Sequence, residues 1–243
     1  MDTLHMVEIR PDLGALYRFL GHQRLAEAHR DEDLGYGMHS WLAAALGHDA
    51  PKPWRFWTDR KGPIRLLGYS RLEAAALRTR LTQRATPSTL AVVPDTEQDI
   101  DSRPLPHWQE GRRLAFELRC CPVARAARSG VEKDVFLMQL QTGTPSLPRT
   151  AVYGDWVEAK LEQTGAVRVR QLTINGFQLV RQMRRSTNTD GIRRSHVLVR
   201  PQVLVQGELT VLDPERFATL LAQGVGRHRA FGYGMLLLRP SRG

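Results

Sequence analysis

The chain has 243 residues, 42% of them hydrophobic and 25% charged, enough to bury a core as one large domain or as two of about 120 residues. Thirty-five Lys and Arg against 25 Asp and Glu give a formal charge of +10, and among those cations only Lys52, Lys61, Lys133 and Lys160 are lysines. The adjacent pair Cys120 and Cys121 excludes an ordinary disulfide framework and a four-cysteine metal site, and no apolar run reaches the roughly 18 residues of a membrane span.

Met1 to Arg10 has no stretch long enough for a signal peptide, so a cytoplasmic protein is expected. Arginine pairs bidentately with phosphate and stacks on bases, so the arginine bias points to nucleic acid; the codon usage of a GC-rich genome is the competing source.

In chain order, Leu4 to Ile9 reads as a first strand, ended by Arg10-Pro11-Asp12. Leu13 to Arg30 carries apolar residues at roughly helical spacing, and the charged run His29 to Asp33 breaks it. Tyr36 to Leu46 is a second helical pattern, stopped by Gly47. Trp54 to Thr58 and Ile64 to Tyr69 form a hairpin around Asp59-Arg60-Lys61-Gly62-Pro63. Arg71 to Gln83 is helical, Leu90 to Val93 a further strand, and the polar, proline-containing stretch Pro94 to Gln109 a loop. Leu114 to Cys121 alternates and ends at Pro122, which suggests an edge or closing strand. The basic linker Arg125 to Gly130 follows, placing a domain boundary between residues 1–122 and 123–243.

The second half opens with strand material at Asp134 to Leu140. Val152 to Gln163 reads as an amphipathic helix with Trp156, Val157 and Leu161 inward. Val167 to Ile174 and Phe177 to Met183 flank Asn175-Gly176, the strongest short hairpin signal. Arg184 to Arg194 reads as a second, arginine-rich turn, and Val197 to Val205 and Leu209 to Val211 as returning strands. Asp213 caps a helix that begins at Pro214 and stops at Gly224. Each half thus reads as strand, helix, two strands, helix, strand. The fold class expected is α+β, two tandem ferredoxin-like (RRM-like) domains.

Two stretches stand out for chemistry. Gly224, Gly226, Gly232 and Gly234, four glycines in eleven residues, enclose Arg227, His228 and Arg229. Glycine admits φ > 0 and lets a backbone approach another molecule, so amides beside three cations suit a phosphate backbone; a plain tight turn is the alternative. Because this loop runs from helix to strand, it is neither a dinucleotide nor a Walker A motif. The second stretch is Tyr36 with His39. Three residues apart on a helix they share a face, and a neutral imidazole can serve as a general base. Arg181, Arg184, Arg185, Arg193 and Arg194, five arginines in 14 residues, suit contact with an A-form stem, or an ordinary exposed hairpin end. No histidine pair has metal-ligand spacing; neither metal nor cofactor is expected.

Tyr36-Gly37-Met38-His39, Phe116-Glu117-Leu118-Arg119 with Pro122, Gly207-Glu208-Leu209 before Asp213-Pro214-Glu215, and the closing glycine loop occur in an order that resembles CasE-type proteins. These are CRISPR repeat endoribonucleases of the RAMP superfamily. The resemblance implies two tandem ferredoxin-like domains and metal-independent cleavage of a repeat hairpin by a ribose 2′-hydroxyl, leaving a 2′,3′-cyclic phosphate. It also implies retention of the product in an RNA-guided effector complex with other subunits. By resemblance His39 is the catalytic histidine, Tyr36 its assistant, and Arg229 the loop's basic residue. The charge-stabilising group, often a lysine, has no match, and His196, with Arg193 and Arg194, occupies its neighbourhood. The helical additions at Leu13 to Leu34 and Arg71 to Gln83 would suit a divergent branch such as type IV processing subunits. The alternatives are a catalytically inactive subunit that caps the 3′ hairpin of the guide RNA, and a ribosome-associated or general RNA-binding protein.

Overall fold

Alternation in β1 (His5–Ile9) leaves Val7 and Ile9 with no solvent exposure, which makes this strand the floor of the first core. α1 (Leu13–His22) lays Leu16, Phe19 and Leu20 on the same core at helical spacing, and Asp12 caps it by accepting from the Ala15 amide at 2.7 Å. α2 (Leu34–Ala45) adds Met38, Trp41 and Leu42, with the indole N–H of Trp41 donating to the Thr89 carbonyl at 3.0 Å. The chain continues through β2 (Trp54–Trp57), β3 (Arg65–Ser70), α3 (Ala74–Arg84), the short α4 (Pro87–Leu90) and α5 (Thr96–Asp99), and β4 (Ile100–Pro104). The sheet order is β2-β3-β1-β4, with antiparallel pairs throughout. This is the β-α-β-β-α-β arrangement expected.

The computed structural model describes residues 3–22, 34–58, 62–125, 130–141, 147–187 and 193–241, with side chains outside the description for 183–196. The chain divides into two units, one of Met1–Leu105, Arg181–Val199 and Ala230–Gly232, the other of Pro106–Val180, Arg200–Arg229 and Tyr233–Gly243.

The second unit repeats the topology. β5 (Arg113–Cys120) is followed by the short pair β6 (Val123–Arg125) and β7 (Glu132–Asp134), then α6 (Val135–Leu140), α7 (Arg149–Glu162), β8 (Val167–Thr187), β9 (Arg193–Val211), α8 (Pro214–Gln223) and β10 (Leu236–Pro240). The sheet order β10-β5-β9-β8 is the same as in the first unit, taking the strands of each in turn. Asp213 caps α8 through the Glu215 and Arg216 amides, both at 3.0 Å, and Gly224 ends it at φ 71°.

Several expectations need correction. Leu90–Val93 is not a strand but the end of α4 and its turn; Val92 and Val93 are apolar because they are buried, at 0% and 1% exposure, and not because they pair. The stretch expected as a loop from Pro94 to Gln109 holds β4, whose polar sequence fits an edge strand with only Ile100 buried. Leu114–Cys121 is no edge. β5 pairs with β9 on one side and β10 on the other, so a division at residue 122 cuts across the second sheet. Asp134–Leu140 is mostly helix α6.

Asn175-Gly176 makes no turn. β8 runs straight through it, and neither residue has positive φ, which a type I′ turn needs at both central positions. A Cβ built on Gly176 would lie 3.7 Å from the Leu204 Cβ, and the Arg170 guanidinium donates to the Thr210 hydroxyl at 3.0 Å, so β8 is still paired with β9 there. β8 ends at Thr187 and β9 begins at Arg193; residues 188–192, within the turn expected from Arg184 to Arg194, lie outside the described residues. Gly207 is needed for close approach: a Cβ there would lie 2.3 Å from the Gln171 carbonyl oxygen and 2.8 Å from the Phe116 ring.

Candidate active site and glycine loop

α2 brings Tyr36 and His39 to one face, as their spacing requires. Gly37 between them is fixed by packing, since a Cβ would lie 2.7 Å from Leu20 Cδ1 on α1. Tyr36 is 9% exposed, not pointing into solvent as its place near the helix start suggested, whereas His39 is half-buried. Both lie against one ring, Phe231. The Phe231 and His39 centroids are 4.6 Å apart with a 52° tilt, and Phe231 stacks on Tyr36 at 6.3 Å and 13°. Burial, and then the positive charge of Lys52, hold the His39 imidazole below its ordinary pKa of 6.5. It is therefore neutral over a wider range of pH.

Phe231 is held by its neighbours in the first unit. The Trp54 indole N–H donates to the Ala230 carbonyl at 3.1 Å, and Gly232, at φ 88°, lies so close to the same indole that a Cβ would sit 3.2 Å from it.

The loop glycines all take positive φ, as expected, but the close approach is to the protein itself. A Cβ on Gly226 would lie 2.7 Å from the Trp156 ring, and one on Gly234 would lie 2.5 Å from the Val225 carbonyl oxygen. The ends of the loop are joined by the Val225 amide donating to the Gly234 carbonyl at 2.9 Å. The loop cations are engaged too. Arg227 donates to the Glu132 carboxylate, His228 Nε2 lies 2.9 Å from the other Glu132 oxygen, and Arg200 stands 3.7 Å away. His228 itself takes φ 61°, an uncommon state for a side chain of its size. Burial opposes ionisation of Glu132, yet His228 and Arg227 together hold its carboxyl below the ordinary 4.5. Arg229 donates to the Gln223 carbonyl, one of the groups left open at the end of α8.

Of the arginines expected at the hairpin, Arg181 is exposed on β8. The side chains of Arg184, Arg185, Arg193, Arg194 and His196 lie outside the described residues. Reading the sequence missed Phe231, Trp54, Lys52 and Glu132. Phe231 stood among the loop residues and could have been found as the one large apolar group between glycines. The others carried no local signal: Trp54 and Glu132 meet partners about 100 residues or more away in the chain, and Lys52 acts on His39 through its charge rather than a contact.

A family model described as CRISPR associated protein matches residues 6–240. The chain belongs to that family. A CRISPR-associated endoribonuclease Cse3 of Thermus thermophilus is 33% identical over 142 residues, 56% of this chain and 59% of that protein, so the match spans under two thirds of the relative. Among solved structures, a CRISPR endoribonuclease Cse3 bound to a 19-nucleotide RNA shares the fold over 98% of this chain and all of that one, with a TM-score of 0.65 at 22% identity. A chain of a CRISPR RNA-guided surveillance complex does so with a TM-score of 0.53 at 16% identity, again over 98% and 100%. The resemblance to CasE-type proteins and the two ferredoxin-like domains it implied are thereby borne out for this member of the CRISPR-associated family.

Proposed function

We propose that the protein is a metal-independent endoribonuclease that cuts CRISPR repeat hairpins in precursor RNA and keeps its product for an effector complex. The observation that carries this reading is His39, half-buried on the face it shares with Tyr36 and held below its ordinary pKa. A base near neutral pH must be unprotonated and must keep some access to its substrate, and His39 meets both conditions.

In the reaction, neutral His39 takes the proton of a ribose 2′-hydroxyl while that oxygen bonds to the adjacent phosphorus. The bond from phosphorus to the 5′-oxygen breaks, and that oxygen leaves and takes up a proton as a 5′-hydroxyl. The product is a 2′,3′-cyclic phosphate. Tyr36 orients the imidazole or holds a phosphate oxygen, His196 or a neighbouring arginine offsets the charge on the phosphorane, and the β8–β9 arginines hold the stem. The Cse3 and surveillance-complex likenesses support RNA as substrate and a complex as destination.

The test is incubation of the protein with the repeat hairpin RNA encoded beside its gene, in excess EDTA, comparing wild type with His39→Ala. One cut bearing a cyclic phosphate, slowed about 10²-fold or more in the variant with binding retained, is expected. Tight binding without a cut overturns catalysis in favour of a cap on the guide hairpin. Cutting by both proteins at equal rates removes His39 from the reaction.

A further inference from the structure

Phe231 is a loop residue whose packing is spent on two side chains only three positions apart. Its ring meets the His39 imidazole at 4.6 Å and stacks on Tyr36 at 6.3 Å. It enters through a tight turn at Arg229–Phe231, and the residues on either side of it are pinned to a single indole: Ala230 by the hydrogen bond from Trp54, Gly232 by direct contact at φ 88°. Trp54 is itself 1% exposed and belongs to the first sheet, so the anchor is rigid. A half-buried imidazole has two ring faces, and an aromatic wall against one of them restricts its rotation and strips water from it.

We propose that Phe231 is a positioning residue for His39: locked by Trp54, its ring sets the orientation of the imidazole and of Tyr36, and shields the imidazole from water. The proposal rests on His39 being the base of the reaction proposed above. Phe231 need not touch the RNA to do this; it acts through His39. A base held in one orientation meets the 2′-hydroxyl without searching rotamers, and a misplacement of about 1 Å in such a contact is costly to the rate.

The experiment follows the His39 ring proton resonance against pH in the free protein, assigned by its loss in His39→Ala, together with single-turnover cleavage of the repeat hairpin in EDTA and its binding. Wild type, Phe231→Ala and Phe231→Leu are compared. In Phe231→Ala the His39 titration moves up toward 6.5, cleavage falls about tenfold or more, and RNA affinity is unchanged. Phe231→Leu keeps apolar bulk without the flat ring, so it holds the fold and shows a smaller change in the same direction. An unmoved titration or an unslowed cut in both variants overturns the proposal, as does loss of RNA affinity in step with rate, which would make Phe231 a binding residue. If instead His39→Ala cuts at the wild-type rate, the base itself is wrong and Phe231 has nothing to position. That failure is told apart because an error in Phe231 alone leaves His39→Ala inactive.

Discussion

The α2 pair and the glycine loop were the two sites that sequence pointed to, and the structure treats their charges in opposite ways. At α2 a cation, Lys52, acts on an imidazole that burial already disfavours as a cation, so both push the His39 pKa below its ordinary value. In the loop, Arg227 and His228 face the buried carboxylate of Glu132, so both are engaged within the protein. A charge beside glycines is therefore a different object from a charge beside solvent. The loop's internal pairs hold its shape, whereas the reaction proposed above would rest on a group that burial deprives of charge.

The largest effect that would break this comparison is His39→Ala, expected to slow cleavage about 10²-fold or more while RNA still binds. Next comes Glu132→Ala. Removing the carboxylate takes away the ion-pair contact that Glu132 makes with Arg200 and His228, both mostly buried. We expect a loss of about 2–3 kcal/mol in chemical unfolding, less than for a fully buried pair because Arg227 is 41% exposed. An unchanged midpoint would mean that the loop needs no internal anchor. Gly226→Ala forces a Cβ against Trp156 at a positive φ and should cost about 1–3 kcal/mol by the same measurement.

Acid separates the two sites by the pH window in which each acts. Glu132 has a native pKa below its ordinary value, so the folded state binds fewer protons. Its contribution is full above pH 4.5 and is lost as pH falls through the depressed native value. His39 is also depressed, and the folded state again binds fewer protons, but from pH 6.5 downward. Stability therefore declines from there until the native pKa is passed, and the rate of cutting falls through that native value. Acid titration of wild type beside Glu132→Gln and His39→Ala resolves the two windows. The smallest effects concern salt. Arg184→Ala should flatten the salt dependence of RNA binding by about one unit if that residue contacts phosphate, and Arg227→Ala by less, because its Nε is held by Glu132. Equal slopes for both variants would return Arg227 to the RNA.

Much of this fold was legible because its signals are local. Asp213, Pro214 and Gly224 bracket α8 where capping chemistry puts them, and the apolar spacing of Leu16, Phe19 and Leu20 places α1. What failed was set by distant partners. Asn175-Gly176 is a turn by its own preferences, but β9 offers a continuous partner and the strand runs on. β5 looks like an edge until β10, more than a hundred residues later, pairs with it, as Leu118 does with Leu236. The same holds for the site. Tyr36 and His39 share a helix and were found together; Phe231 and Lys52 act on His39 through contacts and fields that spacing does not encode.

The position of Phe231 in the chain also has a bearing on synthesis. β1 through β4 precede the segment carrying Phe231 by well over a hundred residues, so the sheet under α2 can assemble on the ribosome while that segment is still unmade. The nascent chain then has His39 and Tyr36 on their helix but no ring against them, and Trp54 has no Ala230 carbonyl to meet. The imidazole of a half-made chain is more open to water than that of the finished one. The aromatic wall emerges well over a hundred residues after β4, so the surroundings of the His39 imidazole are complete only once Phe231 has left the ribosome.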